Sequence, residues 1–584
     1  MKKFFSNVLA NIVAIMIIAA IFFAFILMMI VTSALGDNKP YIKKNSVLTL
    51  DFKTNIIDSP SEDNQQFSFP SGESEKNVLL YDMLEAIKKA KTDDKIKGIS
   101  IETDGLKGGI SHLDDVRAAL EDFRKSGKFV YAYGNSVSQG AYYLGSVADQ
   151  YYLNPAGGID LKGLSAEVAF FKNFTEKYGI GTEIIRHGKF KAAVEPYMRN
   201  EISPENKEQL STLLNDIWKN TSSRIATSRK IDSAQFRTVV DSLYGIIPEL
   251  SLQHKLVDKL MQKSEYDDLL KAKLHLADDD KLNKVSFSKY ISSFKEDQTG
   301  KNNQIAVLYA SGTIYNGEGY DAIYAQNFIK NIKELTENDD IKAVVFRINS
   351  PGGSANASDE ILFELQQLKK KKPLIISFGD YAASGGYYIA MGADKIYSEP
   401  NTITGSIGVF GVFPYLKELA AKNGIRADAV TTNANSNMFS MINGVTPGGV
   451  SMMTKSVEQT YKRFVHFVTV NRKKSFDQID EVGGGRVWSG TRAKQIGLVD
   501  ELGTLNDAIT YAAQKANMST YNVSSFPKKM SAFEQFFKGM DEDQISTRII
   551  KHKIGSENYK IFEQLKNPDL KGGVMMEMPY EVKF

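Results

Sequence analysis

The sequence predicts an α/β protein made of two tandem copies of one unit, set behind an apolar N-terminal helix. Three observations carry this: an internal repeat at a nearly constant offset, strand-like runs alternating with amphipathic stretches, and an uncharged segment from Phe4 to Gly36. At 584 residues the chain is too long for one hydrophobic core, and 42% apolar residues are enough to bury several. With 72 basic against 69 acidic residues, the net charge of +3 offers no stripe for a polyanion, so a nucleic-acid partner is excluded. The chain has no Cys, which excludes disulfides, thiolate nucleophiles and Cys-ligated metals.

The first element is the apolar segment itself. Lys2 and Lys3 precede an uncharged run to Leu35, and the next charge is Asp37. A cleaved signal peptide carries an apolar stretch of only about 7–15 residues, so this longer one predicts an uncleaved transmembrane signal anchor over residues 1–36. Positive charge at the start keeps that end in the cytoplasm. The body is therefore expected on the extracytoplasmic face of the cytoplasmic membrane, held by a single pass.

The repeat follows. Ile96-Lys97 matches Ile341-Lys342, Tyr142-Tyr143 matches Tyr387-Tyr388, Ala148-Asp149 matches Ala393-Asp394, and Gly179-Ile180 matches Gly424-Ile425, all at an offset of 245. The offset slips to 243 at Pro204 and Pro447, then to 242 at Val257-Asp258 and Val499-Asp500. Within the first copy, "IKGISIE" and "FVYAYG" read as strands, "LDDVRAALEDFRKSG" and "GAYYLGSVA" as helices. In the second, "IAVLYA", "KAVVFRI" and "PLIISFG" read as strands, "ASDEILFELQQLKK" and "SGGYYIAMGA" as helices. Such alternation implies a largely parallel sheet in each copy. The expected units are residues 46–295 and 303–525, with polar loops near 58–77 and 294–304 and a tail, 526–584, to which no role can be given.

Two stretches carry chemistry. In "FRINSPGGSANASDEI" a buried strand runs through two glycines into a helix, a turn whose exposed backbone N–H groups can hold an oxyanion; taken alone it equally fits an ordinary turn. Ser384, in "AASGG", stands where a strand gives way to an apolar helix, which suits a nucleophile or a helix cap. The usual bases are missing: no serine lies in a G-x-S-x-G elbow, and the six histidines form no H-E-x-x-H pair.

Taken together, "NSPGGS", "AASGGYY", "TGSIGV" from Thr404, and "GKFKAAVEPY" in the first copy resemble the long, tandem-domain form of the signal peptide peptidase A family, over nearly the whole chain. The resemblance implies tandem domains of the Clp/crotonase-like (ββα superhelix) fold and a serine endopeptidase with a Ser-Lys dyad and no cofactor or metal. Carried over residue by residue, it makes Ser384 the nucleophile, Lys191 the general base with Lys189 as its rival, and Ser406 the lysine's hydrogen-bond partner. Gly353 and Gly385 become the backbone donors to the oxyanion. It also implies apolar peptides, cleaved signal peptides among them, as substrates, and a homo-oligomer, specifically a homotetramer.

The assignment makes a physical demand. A free lysine titrates near 10.4, so Lys191 must be desolvated to accept a proton at neutral pH. The repeat adds an independent point: Ser384 faces Gln139, Ser406 faces Leu161, and Lys191 faces Ser436, so each copy lacks what the other keeps. Two other readings share these features: an acyl-thioester enzyme of the crotonase type, and a non-catalytic membrane-tethered assembly protein.

Overall fold

The computed structural model describes residues 2–34, 39–51, 54–60, 76–105, 108–277, 279–295, 301–319, 322–528 and 574–578. The expected N-terminal helix is present as Lys2–Ala34, 33 residues long, with side chains exposed from Ala10 to Phe25. That it spans a bilayer is not shown: among the described residues no helix is long and apolar enough to cross a membrane. Most of the two polar loops, residues 61–75 and 296–300, lies outside the described residues.

Each copy builds its own sheet. In the first, six parallel strands run in the order Lys259–Leu260, Gln150–Asp160, Phe129–Ser138, Ile96–Glu102, Ser46–Leu50, Asn283–Ser286. In the second, Glu501–Leu502, Lys395–Ser398, Leu374–Ala383, Ile341–Ser350, Gln304–Ser311 and Asn522–Phe526 follow the same order, again parallel. Two more strands extend this sheet: Ile403–Gly405 pairs parallel to Leu374–Ala383, and Val487–Ser489 pairs antiparallel to Ile403–Gly405.

The apolar runs have a simple cause. Helices cover both faces of a parallel sheet, so its central strands are buried on both sides; in Ile341–Ser350 only Lys342 is exposed. Packed into the core of this sheet is helix Ala355–Lys371, which buries Ile361, Leu362, Leu365 and Leu368 at helical spacing and starts where the Ser354 side chain accepts from the Ala357 N–H. Alternate side chains of each sheet feed separate clusters, a larger and a smaller one in the first copy and a larger and a smaller one in the second.

A third sheet ties the copies together. Gly181–Arg186 of the first copy pairs antiparallel with Phe410–Tyr415 of the second, Arg186 opposite Phe410. The tail also joins it: Val574–Glu577 forms a strand between Gly352–Ser354 and Phe410–Tyr415, antiparallel to both. The tail that the sequence left without a role thus has one piece beside the glycine turn, while residues 529–573 lie outside the described residues.

Candidate active site

Ser384 ends strand Leu374–Ala383 and precedes helix Gly385–Ile389. Its backbone is bent to φ 56 and ψ −114, a conformation that costs a non-glycine residue about 1–3 kcal/mol and persists only where the surroundings enforce it. They do: the Ser384 N–H donates to the Gly405 carbonyl at 2.8 Å, and the Ser384 carbonyl accepts from the Tyr388 N–H at 2.8 Å. The two following residues must be glycine. A Cβ on Gly386 would lie 2.6 Å from the Ser350 carbonyl oxygen, and one on Gly385 would lie 2.7 Å from Ser358 Oγ and 3.2 Å from the Gly353 amide nitrogen. The amides of Gly353 and Gly385 are therefore neighbours, with Gly352 in the left-handed region at φ 106.

Lys191 arrives from the other copy. The strand Gly181–Arg186 leads into it, and the Arg186 guanidinium both donates to the Lys191 carbonyl at 3.1 Å and pairs with buried Glu195 at 3.6 Å. Glu195 is held in turn by Ser203 Oγ at 2.5 Å and Asn206 Nδ2 at 3.0 Å. Two glycines clear the space around the lysine: a Cβ on Gly485 would lie 2.5 Å from the Lys191 nitrogen, and one on Gly408 would lie 3.2 Å from its Cδ.

Within this frame Lys191 Nζ lies 2.8 Å from Ser384 Oγ, 3.0 Å from Ser406 Oγ and 3.4 Å from the Ser406 carbonyl oxygen. All three side chains are fully buried, at 0% exposure, so desolvation lowers the Lys191 ammonium from its ordinary value to about 7, opposed only by the carboxylate of Glu577. A lysine so shifted can take up a hydroxyl proton near neutral pH. Ser406 also has positive φ, 49, and its N–H donates to the Arg486 carbonyl at 2.7 Å. Lys189, the rival lysine, is exposed and lies over the Phe190 ring at 5.3 Å.

The counterparts in the repeat stand in other surroundings. Gln139 Oε1 accepts from the N–H groups of Lys162 and Gly163, and Gln139 Nε2 donates to the Gly163 carbonyl. Leu161 is buried in the first core, and Ser436 is exposed. At the first copy's glycine turn the Ser111 N–H donates to Asp380 Oδ1 at 2.8 Å, so a carboxylate of the second copy occupies that place.

All five residues singled out from the sequence are thus brought together, and both members of the Lys191–Ser384 pair come from one chain. Sequence reasoning missed Gly408, Gly485, Arg186, Glu195 and Glu577. The run "EVGGGRV" and the Glu of "KAAVEP" were visible signals; Glu577 gave none, because only tertiary folding returns the tail to the site.

The peptidase family S49 model matches residues 122–277 and 366–519, one segment in each copy, and a Clp protease model matches 296–404. "Protease 4" of Salmonella typhi is 32% identical over 523 residues, covering 86% of this chain and 84% of that protein. "Protease 4" of Haemophilus influenzae is 36% identical over 456 residues, covering 76% and 74%. "Serine protease SPPA, chloroplastic" of Arabidopsis thaliana is 33% identical over 487 residues, covering 82% and 70%. On the match to both copies and the extent of these similarities, the chain belongs to peptidase family S49 and is an SppA-type serine protease with a tandem Clp-like α/β fold.

Proposed function

We propose that the protein hydrolyses apolar peptides through a Ser384–Lys191 dyad and an acyl-enzyme. The observation that carries this reading is the 2.8 Å approach of Lys191 Nζ to Ser384 Oγ in a dry pocket. Neutral Lys191 accepts the Ser384 hydroxyl proton as Oγ adds to the scissile carbonyl, and the amides of Gly353 and Gly385 donate to the oxyanion. The ammonium then gives its proton to the leaving amine, the C–N bond breaks, and the lysine next deprotonates the water that releases the acid product. Ser406 holds the lysine on target through its hydroxyl and its carbonyl oxygen.

The substrate and setting belong to the same reading. The uncharged run from Phe4 to Gly36 supports a membrane anchor, and Lys2 and Lys3 support an extracytoplasmic body that meets cleaved signal peptides near the bilayer. Assembly into a homo-oligomer, a homotetramer by the family resemblance, fits a tethered enzyme of this kind. The test is cleavage of an apolar reporter peptide by the detergent-solubilised protein. Ser384→Ala and Lys191→Ala should each lower kcat by at least about 10⁴-fold while circular dichroism stays unchanged. Substantial activity in Lys191→Ala would overturn the dyad.

A further inference from the structure

A protease nucleophile has to meet a substrate carbonyl, yet Ser384, Lys191 and Ser406 are all at 0% exposure. Part of what encloses them is the chain's own C-terminal segment. Val574–Glu577 lies along the glycine turn as an antiparallel strand, with Glu577 opposite Gly352, Met576 opposite Gly353 and Met575 opposite Ser354. Its other edge pairs with Phe410 and Gly411, and the Met578 N–H donates to the Pro351 carbonyl at 2.8 Å.

The position of this strand relative to the chemistry is specific. A Cβ built on Gly352 would lie 2.0 Å from the Met576 carbonyl oxygen and 2.8 Å from the Gly385 amide nitrogen, so a carbonyl of the tail sits beside an amide assigned to the oxyanion. The side chains fill apolar pockets on both sides of the strand. Met575 packs with Val194 and Phe410, Met576 is fully buried in the core of the second copy, and Met578 packs among Leu213, Ile217, Ala383 and Ile403. Glu577 is half-buried and close enough to Lys191 for each to shift the other's titration.

An extended peptide presented to Ser384 needs the same two strand edges, because main-chain pairing is how a groove of this kind holds a substrate. Each edge can pair with only one strand at a time. We propose that residues 574–578 are an internal inhibitor: the protein's own C-terminal strand occupies the substrate cleft and must leave before a peptide can bind. The inference rests on the proteolytic reading and extends it to regulation. Because the segment belongs to the same chain, its binding is intramolecular, and a free peptide must compete with a strand that is always present.

The test compares the full-length protein with one lacking residues 574–584, using an apolar reporter peptide. Truncation is expected to lower KM by at least about tenfold, as expected when a competing closed state is removed. Met576→Asp in the full-length protein should have the same effect, which covers the case in which truncation impairs folding. A binding measurement separates this proposal from proteolysis itself. A labelled peptide of residues 571–581 should bind the truncated Ser384→Ala protein and not full-length Ser384→Ala, whether or not either parent cleaves anything. Equal binding to both, an unchanged KM in a folded truncated protein, or activity restored to it by the added peptide would overturn the inhibitor and make the strand a structural part of the site.

Discussion

Lys191 can act as a base near neutral pH only while protein, not water, surrounds its ammonium. Gly408 and Gly485 make that enclosure possible, since any side chain there would enter the space of the lysine itself. Gly485→Ala, at φ +86 and with a Cβ only 2.5 Å from the Lys191 nitrogen, should displace the lysine and lower kcat by about 10²-fold. Titration gives a second check. The proposed dyad requires neutral Lys191, so kcat/KM should rise with pH through about 7. The Glu577 carboxylate favours the charged ammonium, so Glu577→Gln should move that rise to lower pH; a move to higher pH would contradict the electrostatics. Both measurements are pH profiles on the reporter peptide.

At the scale of elements, the two copies are locked by buried charge as well as by the shared sheet. Arg347 of the second copy donates to Asp58 of the first at 3.1 Å, and His112 Nε2 lies 3.1 Å from the same carboxylate. Arg347 and His112 hold Asp58 below the usual carboxylate range, while Asp58 and Asp380 raise His112 from 6.5 to about 9 despite its burial. A folded pKa above the unfolded one gives stability that is complete below about 6.5 and is lost as pH rises through about 9. The shift is worth up to about 3 kcal/mol. Thermal unfolding followed from pH 6 to 10 should show this loss, and His112→Gln should flatten it by lowering stability at the acid end. The alternation of strands and helices that builds these elements was legible in the chain, because central parallel strands such as Ile341–Ser350 must be apolar on both faces. The network was not, because Asp58, His112 and Arg347 are far apart in sequence and carry no periodicity.

For the whole molecule, the consequence of duplication is a site divided between two halves of one chain. Because Lys191 and Ser384 meet within that chain, mixing or co-expressing the Lys191→Ala and Ser384→Ala proteins should restore no activity. Recovery of activity would mean that neighbouring chains exchange halves. The five residues of the proposed site were legible as motifs, and the proposed pair also as differences between the repeats: Gln139 opposite Ser384, Ser436 opposite Lys191. The roles of Gly485, Glu195 and the tail were not, since each depends on a contact made across the third sheet. By itself, the sequence determined the duplication, the α/β class and the motif residues that gather at the proposed site, because burial pattern and repeat register are written locally along the chain. Only the tertiary structure decided that Lys191 is dry, that it reaches Ser384 within one chain, and that the C-terminal strand lies across the site. These depend on packing between segments hundreds of residues apart, which no local pattern records.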